Sequence, residues 1–228
     1  MGILTTLKAR KAATKASKGD VQGAMSLFEE AVNEGLMDSR LLLSYSVLLM
    51  RNGEFSKARE LMVKMQKYPM PDADKRQLFV NYASCVYKMG ELQKGIEILE
   101  TQHKKQPSGS IYETLGYLYV EAGDAEKALS FNKEAYEYDD EDPITLDNLG
   151  QTYYRLLNDK ATAKTYFEKA ISIKPSQLDT LYFLAKYDIE NGDKEAAITK
   201  LEKASSGRFS PLNYATKESV SSLLDSIK

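Results

Sequence analysis

The residues of this chain that could do chemistry are few. Histidine occurs once, at His103 in "ETQHKKQP", and cysteine once, at Cys85. Paired-imidazole and multi-thiolate metal sites therefore cannot be assembled, and an internal disulfide is excluded. A Ser-His-Asp triad built on His103 has no corroborating residues, and its place on the polar end of a helical pattern predicts an exposed ring. Ser130-Phe131-Asn132-Lys133 has the spacing of a serine–lysine nucleophile. It falls in mid-helix without the companion motifs, so we read it as chance. The acidic run "YDDEDP", residues 138–143, offers oxygens to a cation but lacks the glycine-containing loop that calcium ligation needs. A solvated turn, with Asp142 capping the next helix, is the preferred reading. No phosphate-binding glycine loop occurs, and Cys85 sits at a small-residue position, as a packing thiol would. The expectation is a protein without catalytic residues, metal or cofactor.

What the elements do position is a repeat. The chain punctuates itself with Gly19-Asp20, Gly53-Glu54, Gly90-Glu91, Gly123-Asp124, Asn158-Asp159 and Gly192-Asp193, whose first members are 34, 37, 33, 35 and 34 residues apart. Glycine, or asparagine once, tolerates the left-handed backbone that ends a helix, and the following acid suits the positive N-terminus of the next. Five residues after each turn comes a small residue: Ala24, Ala58, Gly95, Ala128, Ala163 or Ala197. Phe28, Met62, Leu99, Asn132, Phe167 or Leu201 follows four later, then Ala31, Met65, Gln102, Ala135, Ala170 or Ala204. Offsets of three and four put these on one helix face. Before the turns, Tyr45-Ser46, Tyr82-Ala83, Leu115-Gly116, Leu149-Gly150 and Leu184-Ala185 each set a bulky residue before a small one. Prolines 107 and 175 end second helices, and Pro143 opens a first helix.

This pattern resembles the tetratricopeptide repeat (TPR) family. Residues 146–175 carry Leu146, Leu149, Gly150, Tyr153, Ala163, Phe167, Ala170 and Pro175 in the family's order. The resemblance implies an all-α chain, a right-handed superhelix of about six helix-turn-helix repeats without strands. The repeats fall at about 5–38, 39–75, 76–108, 109–142, 143–177 and 178–211, all in one solenoid domain, with a capping helix at 213–228 whose Val220, Leu223, Leu224 and Ile227 share a face. Departures are Lys8, Lys11 and Lys15 in repeat one, Asn132 in place of an aromatic, and "KYPMPDAD", where Pro69 and Pro71 predict a longer loop and a hinge.

In the family, first helices line a concave groove. The residues just before the bulky–small pairs are Ser44, Asn81, Thr114, Asn148 and Phe183. Four of the five are short hydrogen-bonding side chains, and asparagine can pair with a peptide backbone as both donor and acceptor. The next inward position holds Val47, Ser84, Tyr117, Gln151 and Lys186, and one turn further lie Arg51, Lys88, Glu121, Arg155 and Glu190. Arg51, Lys88 and Arg155 are placed for acidic groups of a ligand, while Tyr87, Tyr117 and Tyr154 add contact area. The candidate partner-binding set is thus Ser44, Asn81, Thr114, Asn148, Arg51, Lys88, Tyr87, Tyr117, Gln151, Tyr154 and Arg155. The basic set of the chaperone-tail-binding members is not reproduced by Leu43, Val47, Val80, Ser84, Glu113 and Tyr117.

Bulk properties agree with a binding protein. A formal charge of -2 gives no global field for nucleic acid, and no apolar run approaches the ~20 residues of a membrane span. Lys8, Arg10, Lys11, Lys15 and Lys18 precede any acid, and the four lysines share a face. That face would meet solvent in a capping helix, or acidic lipid in a peripheral membrane adaptor. Met1-Gly2-Ile3-Leu4-Thr5-Thr6 fits the loose myristoylation pattern, which matches often by chance. The expectation is a cytoplasmic, monomeric scaffold or adaptor binding a protein or extended peptide, with a peptide-sensing regulator acting through a separate effector as the other reading.

Overall fold

The computed structural model describes residues 2–228. Met1, with which the myristoylation pattern starts, lies outside them. The described residues form thirteen α-helices and one π-helical turn, and no strand. They are α1 (Gly2–Ser17), α2 (Val21–Asn33), α3 (Ser39–Arg51), α4 (Phe55–Met65), α5 (Asp72–Lys88), α6 (Leu92–Lys105), α7 (Gly109–Ala122), α8 (Ala125–Tyr138), α9 (Pro143–Gln151), the π-turn Thr152–Leu156, α10 (Lys160–Ile173), α11 (Leu178–Glu190), α12 (Lys194–Ser205) and α13 (Lys217–Asp225). No helix among the described residues is long and apolar enough to cross a membrane. The chain divides into two compact units, the first ending at Gln102 and the second spanning His103–Lys228.

Each hairpin turns where the pattern places it. Gly19, Gly53, Gly90, Gly123 and Gly192 have φ between 77° and 87°, and Asn158 takes 53°, the one non-glycine residue with positive φ among those described. Asp20, Asp124, Asp159 and Asp193 then accept hydrogen bonds from the backbone N–H three residues on, at 2.9–3.0 Å. Glutamate, one methylene longer, does not: Glu54 makes no cap bond, and Glu91 instead pairs with Arg59 (2.9 Å) and Lys94 (2.7 Å). Asp142 caps α9 through the N–H groups of Ile144 and Thr145, with Pro143 in the first turn. The proline-rich connection between repeats two and three is the loop 66–71. Helix α5 starts directly after Pro71, four residues before the expected boundary, with Asp72 and Asp74 in its favourable first turn.

In the first unit the small residues Ala24 and Ala58 are wholly buried, and Phe28 stacks on Tyr45 at 5.0 Å and 17°. In the second unit Phe167 fills the same position. Its ring stacks on Phe183 at 5.0 Å and 8°, and its Cε1 lies 2.5 Å from where a Gly150 Cβ would stand. Repeat four is the exception. Asn132 is fully buried and donates to the carbonyls of Gly116 (3.2 Å) and Ala128 (3.0 Å), but its Oδ1 has no partner. A buried unpaired acceptor costs about 1–3 kcal/mol. Since Leu99 and Leu201 occupy the equivalent site, Asn132→Leu is expected to stabilise the protein by about 1 kcal/mol, after the loss of the two amide bonds. Urea denaturation checks this; a lowered midpoint would refute it.

Both ends differ from expectation in detail. Lys8 is not a free surface cation: it pairs with Glu30 (3.1 Å) and Glu34 (2.5 Å) of α2 and the residue after it, while Lys15 pairs with Asp20. The outward face of α1 instead begins with Ile3, Leu4 and Leu7, which are 79%, 73% and 54% exposed. At the other end, Val220 and Ile227 join Leu178, Leu181 and Leu201 in one apolar cluster, with Leu223 and Leu224 packed on it. The capping helix itself starts at Lys217 rather than 213, on a Thr216–Ser219 capping box.

Candidate first-helix binding faces

Within each unit, first helices of successive repeats lie side by side and are tied by hydrogen bonds between residues 33–35 apart in sequence. In the first unit Asn81 (α5) is buried; its amide donates to Ser46 Oγ on α3 at 3.2 Å and its Oδ1 accepts from Gln77 at 2.8 Å. Ser44 is exposed and donates to the Arg40 carbonyl at 2.9 Å. Arg51 and Lys88 stand exposed in the last turns of α3 and α5, and the Lys88 ammonium lies 5.3 Å from the half-buried Tyr87 ring.

In the second unit Thr114, Tyr117, Asn148 and Gln151 are all buried. Asn148 donates to the Glu113 carbonyl at 2.9 Å, so it joins α9 to α7. Gln151 donates to Asp147 (2.7 Å) and accepts from Arg155 (2.9 Å), which also reaches Glu121 at 2.7 Å. Asp147 accepts in addition from Thr180 on α11 at 2.6 Å. One chain of contacts thus runs Glu121, Arg155, Gln151, Asp147, Thr180 across three first helices. Asp179, beside it, accepts from Asn213 (3.1 Å) and from the N–H groups of Tyr214 (3.0 Å) and Ala215 (3.0 Å). Tyr214 then stacks on Phe183 at 5.2 Å and 22°, under the Arg155 guanidinium at 4.1 Å. Residues 213–215, expected in the capping helix, are therefore a non-helical clip across this face.

Asp147, Asp179, Thr180, Lys186 and Tyr214 complete the second face and are not in the set named from sequence. Their signal is weak: Asp147 and Asp179 stand among other polar residues of α9 and α11, and nothing local marks them as buried. The π-turn that carries Tyr154 and Arg155 had a clearer one. The turn residue follows the small residue by seven positions in Ser46–Gly53, Ala83–Gly90, Gly116–Gly123 and Ala185–Gly192, but by eight in Gly150–Asn158. The extra residue is absorbed by a widened turn, closed by Leu157 N–H to Thr152 O at 3.2 Å.

Burial governs the ionisable groups. It raises Asp147 to about 7, with the Asp179 charge adding to it, and raises Glu113 to about 7, with Asp142 adding. Both carboxyls bind protons in the folded chain at a pH where the unfolded chain has released them. Their stabilisation is therefore complete below about pH 4 and is lost as pH rises through about 7. We expect the urea midpoint to fall between about pH 5 and about pH 8, and Asp147→Asn to flatten the fall; an equally steep profile in the variant would contradict the assignment. Cys85 is wholly buried, donates to the Phe55 carbonyl at 3.3 Å, and is raised to about 11 by burial, so it packs rather than reacts. His103 is not exposed as expected: its ring packs edge-on to Tyr112 (4.8 Å) and Phe131 (5.2 Å), with Nε2 3.2 Å from Glu134. Among the described residues no group of three or more potential metal ligands converges.

Residues 145–177 match the model of the tetratricopeptide repeat family. Among solved structures, the chain is similar to the APC/C hetero-tetramer Cut9–Hcn1, with TM-score 0.70 and 13% identity over 98% of this chain and 42% of that one. A thermophilic TPR protein of Thermus thermophilus matches with TM-score 0.61 and 19% identity, over 77% of this chain and 94% of that one. MamA protein matches with TM-score 0.57 and 21% identity, over 78% and 95%. The chain thus spans less than half the length of the first of these and nearly all of the other two folds. No curated protein matches it in sequence.

Proposed function

We propose that this tetratricopeptide-repeat protein is a non-enzymatic scaffold that holds a segment of another protein against its first-helix faces. The observation that carries the reading is the repetition of polar and basic side chains in one register along consecutive first helices, with Ser44, Arg51 and Lys88 exposed in the first unit. In the second unit the half-buried Tyr154 and Arg155 continue that register. Asn81, Asn148 and Gln151 serve the same face from beneath, by fixing neighbouring helices and the side chains above them, while Thr114 and Tyr117 are buried. That one fold neighbour is a hetero-tetramer supports a role in assembly.

Affinity capture from lysate with the tagged full chain tests the proposal, comparing wild type with Arg51→Glu/Lys88→Glu. Both positions are exposed, and circular dichroism verifies that the variant folds. We expect at least half of the recovered partner to be lost; undiminished recovery defeats the assignment of this face. A second reading rests on the outward face of α1, where Ile3, Leu4 and Leu7 lead into the exposed Arg10, Lys11 and Lys18. Apolar side chains beside cations suit an anionic lipid surface. Co-sedimentation with phosphatidylglycerol vesicles, lost in Leu4→Ser/Leu7→Ser, would support it, and no co-sedimentation of wild type would end it.

A further inference from the structure

Within the second unit the charged side chains at the α9–α11 end of the first-helix face pair off one by one. Glu121 is taken by Arg155 at 2.7 Å, and Glu190 by Lys160 at 2.6 Å. Both Asp147 oxygens are taken by Gln151 and Thr180, and both Asp179 oxygens by the 213–215 clip. One cation is left over. Lys186, on α11, is half-buried, and its ammonium is walled by the rings of Tyr182 (4.6 Å), Phe183 (5.4 Å) and Tyr154 (6.0 Å). Ring faces attract a cation through their quadrupole but accept no ordinary hydrogen bond, so its three N–H donors have no acceptor from the described residues.

We propose that Lys186 is the seat for a carboxylate of the bound protein segment, with the rings of Tyr154, Tyr182 and Phe183 receiving an apolar side chain next to it. The inference rests on the scaffold reading and names the chemistry of its ligand. A half-buried ammonium keeps only part of its water, and an incoming carboxylate supplies the charge-assisted hydrogen bonds that it lacks. Burial, with Arg155 and Lys160 nearby, disfavours the lysine's charge more than Tyr214 and Glu190 favour it, and a bound carboxylate would restore it. Asp147 and Asp179 can pair with it only by giving up Gln151, Thr180 and the 213–215 segment, and Glu121 and Glu190 only by leaving Arg155 and Lys160. The aromatic walls make the seat selective, because an acid flanked by glycine would leave them wet. The acid can come from an aspartate or glutamate side chain or from a chain terminus, and the test separates these.

Fluorescence polarisation with the full chain would use three fluorescein-labelled octapeptides: amidated GSGFDGSG, amidated GSGFNGSG, and GSGFNGSG with a free C-terminus. At least one of the two acidic probes is expected to bind wild type about tenfold more tightly than the amidated asparagine probe. Which one does so identifies the source of the carboxylate. Lys186→Gln should reduce it to the level of the neutral probe, and Lys186→Arg should retain the preference. Circular dichroism melting verifies that both variants fold. Equal affinity for all three probes, absence of binding, or a preference that survives in Lys186→Gln would each overturn the proposal. Loss of capture in Arg51→Glu/Lys88→Glu with no acid preference here leaves the scaffold standing and removes only the role of Lys186.

Discussion

Truncating Phe167 to alanine is expected to destabilise the second unit by about 3–5 kcal/mol, the cost of removing a fully buried aromatic ring. The ring is fully buried, lies flat on Phe183 at 8°, and covers Gly150 so closely that no methyl group fits between them. It therefore joins the two helices of repeat five and the first helix of repeat six at once. The converse change, Gly150→Ala, presses a methyl against a ring with no direction in which to yield, and should cost about 1–3 kcal/mol. The two sites share one contact, so Gly150→Ala/Phe167→Leu should cost less than the sum of its parts. Urea denaturation followed by circular dichroism measures each variant, and strict additivity would contradict the shared contact.

The second large effect belongs to Asp179. Its replacement by alanine removes the acceptor of three donors, Asn213 Nδ2 and the N–H groups of Tyr214 and Ala215. A buried donor left unmade costs about 1–3 kcal/mol, but this segment can swing out to water, so we expect about 2–3 kcal/mol in all. The sharper readout is local. With the clip released, trypsin should cut at Arg208 or Lys217 many times faster, while sites in the first unit keep their wild-type rates. Unchanged cleavage would mean that α13 is held by Val220 and Ile227 alone.

What the sequence discloses follows from what each residue type can do alone. A helix that must reverse through a left-handed residue advertises it with glycine, and all six turns are where the residues put them. Small residues at fixed offsets announce close helix contact in the same direct way, and a proline can only end or begin a helix. Pairing between repeats is different. Asn81 and Asn148 stand at register positions that face either a groove or a neighbouring helix, and a small rotation decides which; both amides turn to the neighbour. His103, between polar residues in the chain, is covered by Tyr112 and Phe131 from later helices, which no local pattern announces. The clip at 213–215 depends on a carboxylate 34 to 36 residues upstream, so "NYAT" looks like the start of a helix until Asp179 is in place.

The widened turn at Thr152–Leu156 has a further consequence. One surplus residue in an α-helix re-aims every side chain beyond it by about 100°, the angular step per residue of a 3.6-residue turn. Here the surplus is spent within five residues, and the stacking at Gly150 and Ala163 is left as in the other hairpins. Tyr154 and Arg155 are thereby steered onto the first-helix face by length instead of by identity. Deleting one residue from this turn would re-aim Tyr154 and Arg155 while Gly150 keeps its close contact with Phe167.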